Sequence, residues 1–189
     1  MNEKEIAKWV VRYTNIERKK YKLRRLTGHK ALIRASIKYS RLLSRIRKLG
    51  HHFDGDPLSR ASREGFPSTY IGENCALVYA ERNEHPKAVA KKIVNLWMKS
   101  PGHRSNILNC RYNKIGVGIS ARWSKKRRMY EVYAVQMFGY QPSLKSTIAP
   151  SILSIIVGYI RGTVSILALI AIIAIIYLIV TTIRAYSHI

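Results

Sequence analysis

The sequence predicts an α+β domain, in which helices pack on a small β-sheet, followed by one C-terminal transmembrane helix. Three observations predict this organisation. Three segments in the first half of the chain place apolar side chains at helical spacing. Two later segments alternate with period two, as strands do. The last part contains an uninterrupted apolar run, whereas the residues before it carry nearly all of the charge.

The first two predicted helices span residues 6–16 and 30–48. The apolar stripe of the first contains Ile6, Trp9, Val10, Tyr13 and Ile16, and that of the second contains Leu32, Ala35, Tyr39, Leu42, Leu43 and Ile46. Charged residues occupy most of the other positions, so both helices are amphipathic. Gly50 is expected to stop the second helix.

The segment from His51 to Tyr70 is rich in Gly, Pro, Ser and Asp, which predicts an irregular loop with a short helical turn over Leu58–Glu64. Loops carried by a rigid scaffold often hold functional residues. Pro86 is expected to open a third helix. Ser100 and Pro101 are typical of the N-cap and first residue of a further short helix.

Two predicted strands follow, from Lys114 to Ala121 and from Met129 to Phe138, joined by a basic turn at residues 125–128. Their alternation and spacing predict a β-hairpin. Helices on either side of a small antiparallel sheet would bury the apolar stripes and one sheet face, which gives a layered α+β domain.

The C-terminal apolar run extends from Thr163 to Ile183 without a charged residue. It matches the roughly 20 residues that a helix needs to cross a bilayer, and it lacks the polar face of a soluble helix. The segment Ile148–Ile160 is too short to span and is expected at the membrane interface, or as half of a helical hairpin turning at Arg161. The predicted boundaries are a folded domain at 1–141, a linker at 142–162, the span at 163–183 and a tail at 184–189.

The part of the chain up to Thr147 has 32 Lys and Arg against 10 Asp and Glu, a formal charge of +22. Such a charge attracts phosphate-rich surfaces, so anionic lipid headgroups and nucleic acid are candidate partners; a general adaptation of surface composition is the alternative. The basic stretches at 18–25, 45–48 and 125–128 are either solvated faces or contacts to headgroups. Nucleic acid ranks lower because the Tyr and Trp residues fall mostly on predicted buried stripes. No protein partner is predicted.

The first twenty residues contain neither the apolar core nor the cleavage site of a signal peptide. Together with the basic residues flanking the predicted span, this favours a membrane protein whose domain faces the cytoplasm over one whose domain is extracellular, and the extracellular orientation stays open. Cys75 and Cys110 are too few for a disulfide framework, and the sequence leaves open whether they form one bridge or two free thiols.

Six short motifs occur in an order that resembles one protein family. They are TNIERKKYKLRRL at 14–26, LGH at 49–51, GENCA at 72–76, WMKSPGHRSNIL at 97–108, KIGVGI at 114–119 and YAVQMFG at 133–139. The set resembles prokaryotic members of the CAP superfamily, which includes the cysteine-rich secretory and pathogenesis-related 1 proteins and is also called the SCP-like family. Each motif alone is weak, but their order across about 130 residues is specific.

The resemblance implies a three-layer α-β-α sandwich with a central cleft that carries two His and two acidic residues. By position, His51 corresponds to the first His, Glu73 to the first acid and His103 to the second His. Ser100 stands where relatives often place the second acid, so the site is a reduced one. His52 is adjacent to His51, and a one-residue slip in the loop would exchange the two.

Two imidazoles and a carboxylate match the ligand set of a catalytic zinc site with water in the fourth position. Zn²⁺ held by His51 and His103 is therefore a candidate cofactor, although the sequence requires none. Ser100 and His103 could also pair as nucleophile and base. That pairing has less support, because Ser100 is already explained as an N-cap and no acid is placed to orient His103.

The remaining cleft candidates have structural alternatives. Asn74, like Glu73, could hydrogen-bond to backbone and close the cleft loop. Arg104 and Asn106 could hold an anion at a helix N-terminus or only cap and pack. The sequence thus predicts a membrane-anchored, non-catalytic binding or scaffolding module whose basic surface contacts anionic lipid. The alternative is a zinc-dependent, protease-like hydrolase using His51, Glu73 and His103.

Overall fold

The computed structural model describes residues 1–142 and 166–186. The chain divides into two units, Met1–Gln141 and Pro142–Ile189. The elements of the first unit are α1 (Glu3–Lys20), β1 (Thr27–Gly28), α2 (Lys30–Ile46), α3 (Pro57–Arg63), β2 (Ile71–Ala80), α4 (Pro86–Lys99), α5 (Pro101–Leu108), β3 (Lys114–Ser124) and β4 (Met129–Gly139). The predicted helices and the predicted hairpin are confirmed, with ends that differ by a few residues.

The four strands form one sheet in the order β1-β3-β4-β2. Strands β2 and β3 both pair with β4 in antiparallel fashion, whereas β1 runs parallel to β3. The expectation of a purely antiparallel sheet was therefore wrong. Strand β1 pairs only Thr27 with Lys114 and Gly28 with Ile115, and a two-residue strand leaves no periodic signal in a sequence.

Strand β2 (Ile71–Ala80) is an element that the periodicity of the sequence did not predict. It pairs along its whole length with β4, from Ile71 opposite Gly139 to Ala80 opposite Tyr130. The unbroken apolar run from Cys75 to Ala80 is typical of a strand that is covered on both faces, and it was the available signal.

Helices cover both faces of the sheet. One core is built from Ile6 and Val10 of α1, Val89, Ile93 and Trp97 of α4, and the side chains of Ile115, Val117 and Ile119 on β3. The other is built from Leu32, Tyr39 and Leu43 of α2, Ala61 of α3, and Tyr133, Val135 and Met137 on β4. Because successive strand residues point to opposite faces, the strands supply both cores, and the unit has three layers.

Helix α2 lies directly on the backbone of β3. A Cβ atom at Gly116 would collide with the backbone of Leu32, and one at Gly118 would collide with the backbone of Ser36. The hydroxyl of Ser36 donates a hydrogen bond to the carbonyl of Gly116 at 3.2 Å. The two glycines are therefore required here, because any side chain at either position would prevent the close approach of α2 to β3.

Arg18 is fully buried, which corrects its assignment to an exposed basic stretch. Its Nε donates to the carbonyl of Arg24 at 2.9 Å, and its Nη1 donates to those of Ile107 and Asn109, both at 2.8 Å. Its Nη2 donates to the carbonyl of Tyr112 at 3.3 Å. Among the described residues no carboxylate pairs with it, so carbonyl dipoles alone compensate the buried cation.

In the second unit, the structure describes one helix, α6 (Ile166–Tyr186), which overlaps the span predicted at Thr163–Ile183. Among the described residues, no helix has both the length and the apolar character that crossing a membrane requires. The predicted interfacial segment, nearly all of the predicted linker and residues 187–189 of the predicted tail lie outside the described residues.

The burial of Arg18 generates a stability prediction. Arg18→Met should lower the free energy of unfolding by at least about 2 kcal/mol, because each buried carbonyl left without a donor costs about 1–3 kcal/mol. Urea denaturation followed by tryptophan fluorescence measures this change. Lys19→Met, which replaces an exposed cation on the same helix, is the matched control. Equal effects of the two substitutions would contradict the structural role of Arg18.

Candidate functional site

His51 lies in the loop between α2 and α3, and the end of α2 fixes the start of this loop. Arg47 adopts a left-handed conformation with φ of 55°, which turns the chain out of the helix. The hydroxyl of Tyr39 donates to the carbonyl of Gly50 at 2.9 Å and accepts from the amide of Phe53 at 3.3 Å. The backbone on both sides of His51 is thereby held by one buried side chain.

Glu73 on β2 is buried and paired with a cation that the sequence analysis did not identify. Nη2 of Arg60, a buried residue of α3, donates to Oε1 and Oε2 of Glu73 at 2.8 and 2.7 Å. Nη1 of Arg60 donates to the carbonyl of His51 at 3.0 Å. The guanidinium also stacks on the ring of Tyr39 at 3.6 Å. Arg60 therefore neutralises Glu73 and connects it to the His51 loop.

His51 and Cys75 complete a compact cluster around Glu73. Nδ1 of His51 lies 2.9 Å from Oε1 of Glu73, and Sγ of Cys75 lies 3.5 Å from the same oxygen. The three candidate ligand atoms all lie within 4.8 Å of one another. Burial raises the pKa of the Cys75 thiol, and the negative charge of Glu73 raises it further. Cys75 is therefore a protonated thiol that donates toward the carboxylate.

His103 lies in the first turn of α5 and is half-buried. Asn74 of β2 donates to the carbonyl of His103 at 3.1 Å and to Oε1 of Gln136 at 3.2 Å. Asn106 of α5 in turn donates to Oδ1 of Asn74 at 2.9 Å. Asn74 thus joins α5 to the sheet, which agrees with the structural alternative weighed for it. No hydrogen bond from the imidazole of His103 to His51 or Glu73 is present in the described part of the chain.

The other cleft candidates lie apart from the cluster. Ser100 occupies the N-cap position of α5, and its carbonyl accepts from the amide of Arg104 at 2.8 Å, but its side chain makes no capping bond. Arg104 donates to the hydroxyl of Tyr21, beyond the end of α1, at 2.7 Å. His52 is exposed, with its ring centroid 6.4 Å from that of His51. Of the two adjacent histidines, His51 is the one that contacts Glu73.

Arg60 and Cys75 are the site residues that sequence reasoning missed. For Cys75 a signal was available, since residues two apart on a strand share a face and Cys75 follows Glu73 by two. Arg60 had no comparable signal, because its contact with Glu73 depends on how α3 packs against β2. Cys75 and Cys110 are both free thiols, the first buried and the second exposed.

The environment of His103 generates a pH prediction. Burial lowers the pKa of His103 below its ordinary value of 6.5, and the nearby His51 lowers it further. The unfolded chain therefore takes up this proton at a higher pH than the folded chain, so stability is lost as the pH falls below about 6.5 and through the folded-state pKa. The free energy of unfolding of the wild type should fall more between about pH 7.5 and about pH 5.5 than that of His103→Gln.

Urea denaturation at the two pH values tests this expectation, with His52→Gln as the exposed control that should follow the wild type. A His103→Gln variant with the same pH dependence as the wild type would show that His103 does not contribute.

The family model of the cysteine-rich secretory protein (CAP) family matches residues 11–138. The protein YkwD of Bacillus subtilis (strain 168) is 33% identical over 117 residues, which are 59% of this chain and 41% of YkwD. The chain thus spans about two fifths of the length of that relative.

Solved structures share the fold at lower identity. An extracellular protein of Bacillus anthracis that contains an SCP domain superposes with a TM-score of 0.59 at 23% identity, covering 74% of this chain and 41% of that one. An outer surface protein of Borrelia burgdorferi superposes with a TM-score of 0.56 at 21% identity, covering 75% and 97%. The order of motifs, the three-layer sandwich and the matched residues agree: this chain belongs to the cysteine-rich secretory protein (CAP) family.

Proposed function

We propose that this CAP domain is a non-catalytic binding module, held at a membrane, that contacts anionic lipid headgroups through the basic loop, residues 19–25. The observation that carries the proposal is the position of this loop. It lies at the end of the domain from which the chain leaves toward its apolar C-terminal part.

Asn113 connects the chain just after the basic loop to the last residue of the domain. The carbonyl of Asn113 accepts from the amide of Thr27, just after the basic loop, at 3.1 Å. The side chain of Asn113 donates to the carbonyl of Gln141 at 2.7 Å and accepts from its amide at 2.9 Å. Gln141 is the last residue of the first unit. The basic loop and the exit of the chain are therefore neighbours within the domain.

The cations of the basic loop are available to a partner. Lys19, Lys22, Arg24 and Arg25 are exposed, and no carboxylate of the described residues forms a salt bridge with them. The domain has few carboxylates left to offer, because seven of its ten acidic residues already form salt bridges, and of these only Glu17 pairs with the loop, through Lys20. Exposed lysines and arginines close to an anionic membrane each contribute about 1 kcal/mol to binding.

Membrane attachment is part of the proposal and is supported by sequence. Residues 163–183 carry no charge and are almost entirely apolar. The large apolar side chains of α6 that the structure describes are mostly exposed, and Tyr177 and Leu178 are exposed by 72% and 67%. A helix with such a surface is compatible with a lipid environment. The cytoplasmic orientation of the domain stays a prediction from the sequence.

Zinc-dependent hydrolysis is the less favoured function, because the donor set does not fit a zinc ion. Both carboxylate oxygens of Glu73 already accept from Arg60, whose positive charge would lie beside the metal. The raised pKa of Cys75 opposes formation of a thiolate ligand. Ser100 makes no contact that would activate it as a nucleophile, as far as residues 1–142 show.

Calorimetric titration of the full chain with zinc tests the absence of a metal centre. We expect no stoichiometric uptake at neutral pH, and heats that do not differ between the wild type, His51→Ala and His103→Ala. Stoichiometric binding that is lost in both variants would contradict this expectation and restore the hydrolase as the leading function.

The lipid contact predicts that loss of loop charge weakens membrane binding. Lys22→Asn, Arg24→Gln and Arg25→Gln in one variant remove three charges; asparagine suits the left-handed backbone of Lys22, whose φ is 56°. Binding of residues 1–142 to vesicles of phosphatidylcholine and phosphatidylserine should weaken by about 100-fold, at about 1 kcal/mol per residue. Co-sedimentation over a range of lipid concentrations measures this.

The β3–β4 turn supplies a matched control at the far end of the same sheet. Lys125→Gln, Lys126→Gln and Arg128→Asn remove the same charge, and Arg128 also has a left-handed φ, of 53°. This variant should bind vesicles nearly as well as the wild type. Equal weakening of both variants would show that net charge, and not the basic loop, determines binding. No vesicle binding together with DNA binding that falls steeply with salt would favour nucleic acid.

A further inference from the structure

The outer edge of β3 is only partly covered. Strand β1 pairs with β3 at two positions, and within the described residues no strand pairs with β3 beyond Ile115 on that side. The amide of His29 donates to the carbonyl of Ile115, and the amide of Ala121 donates to Oε1 of Glu3 at 2.7 Å. In an antiparallel pair, alternate residues turn both backbone groups away from the partner strand. Val117 and Ile119, between these two contacts, therefore present N–H and C=O groups to the outer edge.

A groove of about 440 Å³ runs along this edge, between α1 and α2, and is called the edge groove below. Ala7 and Val11 of α1 line one wall, Ile33 and Ile37 of α2 line the other, and β3 forms the floor. The groove continues the line of β1, which leaves the sheet after Gly28 and enters α2. The groove therefore lies where a longer β1 would have paired with the rest of β3.

The rim of the edge groove is basic. Lys4, Lys8 and Arg41 line it together with Glu3. The carboxylate of Glu3 accepts from the amide of Ala121 and stands where a partner strand would otherwise bond. Lys8 also pairs with the carboxylate of Glu5 at 3.6 Å, whereas Lys4 and Arg41 form no salt bridge among the described residues. These two cations favour a negatively charged occupant.

We propose that the edge groove binds an extended peptide segment with apolar side chains and a carboxylate, which adds to β3 as a further strand. Backbone hydrogen bonds from the peptide would satisfy the outward groups of Val117 and Ile119. Successive side chains of a strand point to opposite faces, so they would pack alternately on the walls formed by α1 and α2. An acyl chain would fill the same volume but leave those backbone groups unpaired. This proposal is independent of the lipid contact.

The test uses a fluorescein-labelled hexapeptide, Thr-Val-Ile-Val-Glu-Glu, and the full chain in phosphatidylcholine nanodiscs, which avoid free detergent. Fluorescence anisotropy gives the affinity. Two further peptides carry N-methyl groups on one or the other alternate set of amides. The one whose methylated amides face β3 should bind at least about tenfold more weakly, because two hydrogen bonds of about 0.5–1.5 kcal/mol are lost. Equal binding of all three peptides overturns strand addition, and this comparison needs no protein variant.

Protein variants locate the site. Ala7→Phe should block the edge groove and reduce peptide affinity at least about tenfold. Ala88→Phe, an exposed position of α4 outside the groove, should not. Arg41→Gln should weaken binding several-fold, whereas Arg45→Gln, one turn further along α2 and not in the groove, should have no effect. If Ala7→Phe and Ala88→Phe weaken peptide binding equally, or if Arg41→Gln and Arg45→Gln do so, the peptide binds elsewhere and the proposal is overturned.

Two other occupants would also overturn it. Dodecanoate binding that Ala7→Phe abolishes, without peptide binding, would identify an acyl chain as the occupant. Self-association of the chain that Ala7→Phe abolishes, again without peptide binding, would identify a second copy.

Discussion

The end of this domain that contains α5 and the exit of the chain depends on a buried cation that has no anionic partner among the described residues. Arg18 donates to four carbonyls, which belong to the loop after α1, the end of α5 and the segment before β3. Desolvation of a guanidinium is offset only when nearly all of its donors are used, so these segments can be placed in few other ways. The position of α5, with His103 in its first turn, and the neighbourhood of Asn113 and Gln141 both follow from this arrangement.

A second buried arginine determines the chemistry of the cleft. Arg60 converts Glu73 from an available ligand into half of an interior ion pair, and Cys75 is kept protonated beside it. His51, Glu73, Cys75 and Arg60 thereby form a hydrogen-bonded network that connects the His51 loop to β2. The two arginines also show that formal charge overstates the exposed charge of the domain, since both lie in its interior.

The sequence was informative where the physical signal is local. Helices α1, α2 and α4 have one apolar face each, so periodicity predicted them. Strands β3 and β4 were predicted from alternation in the sequence and from the basic turn between them, although the structure buries β4 on both faces from Val132 to Gly139. Strand β2 is covered on both faces near Cys75 and lacks alternation. The motif order identified His51 and Glu73, which do contact each other. Arg60 and the contact of Arg104 with Tyr21 could not be predicted, because each depends on how two separate helices or strands pack. The burial of Arg18 could not be predicted for the same reason, because its hydrogen bonds depend on where α5 packs.

The glycines beneath α2 have a consequence for the mechanics of recognition. At Gly116 and Gly118 the helix rests on the strand through peptide groups alone, without intervening side chains that could change rotamer. The height of α2 above the sheet is therefore set by direct contact between rigid peptide groups, and so is the position of the wall that Ile33 and Ile37 form beside β3. If the edge groove binds a peptide strand as proposed, this rigid wall would select the occupant by its thickness.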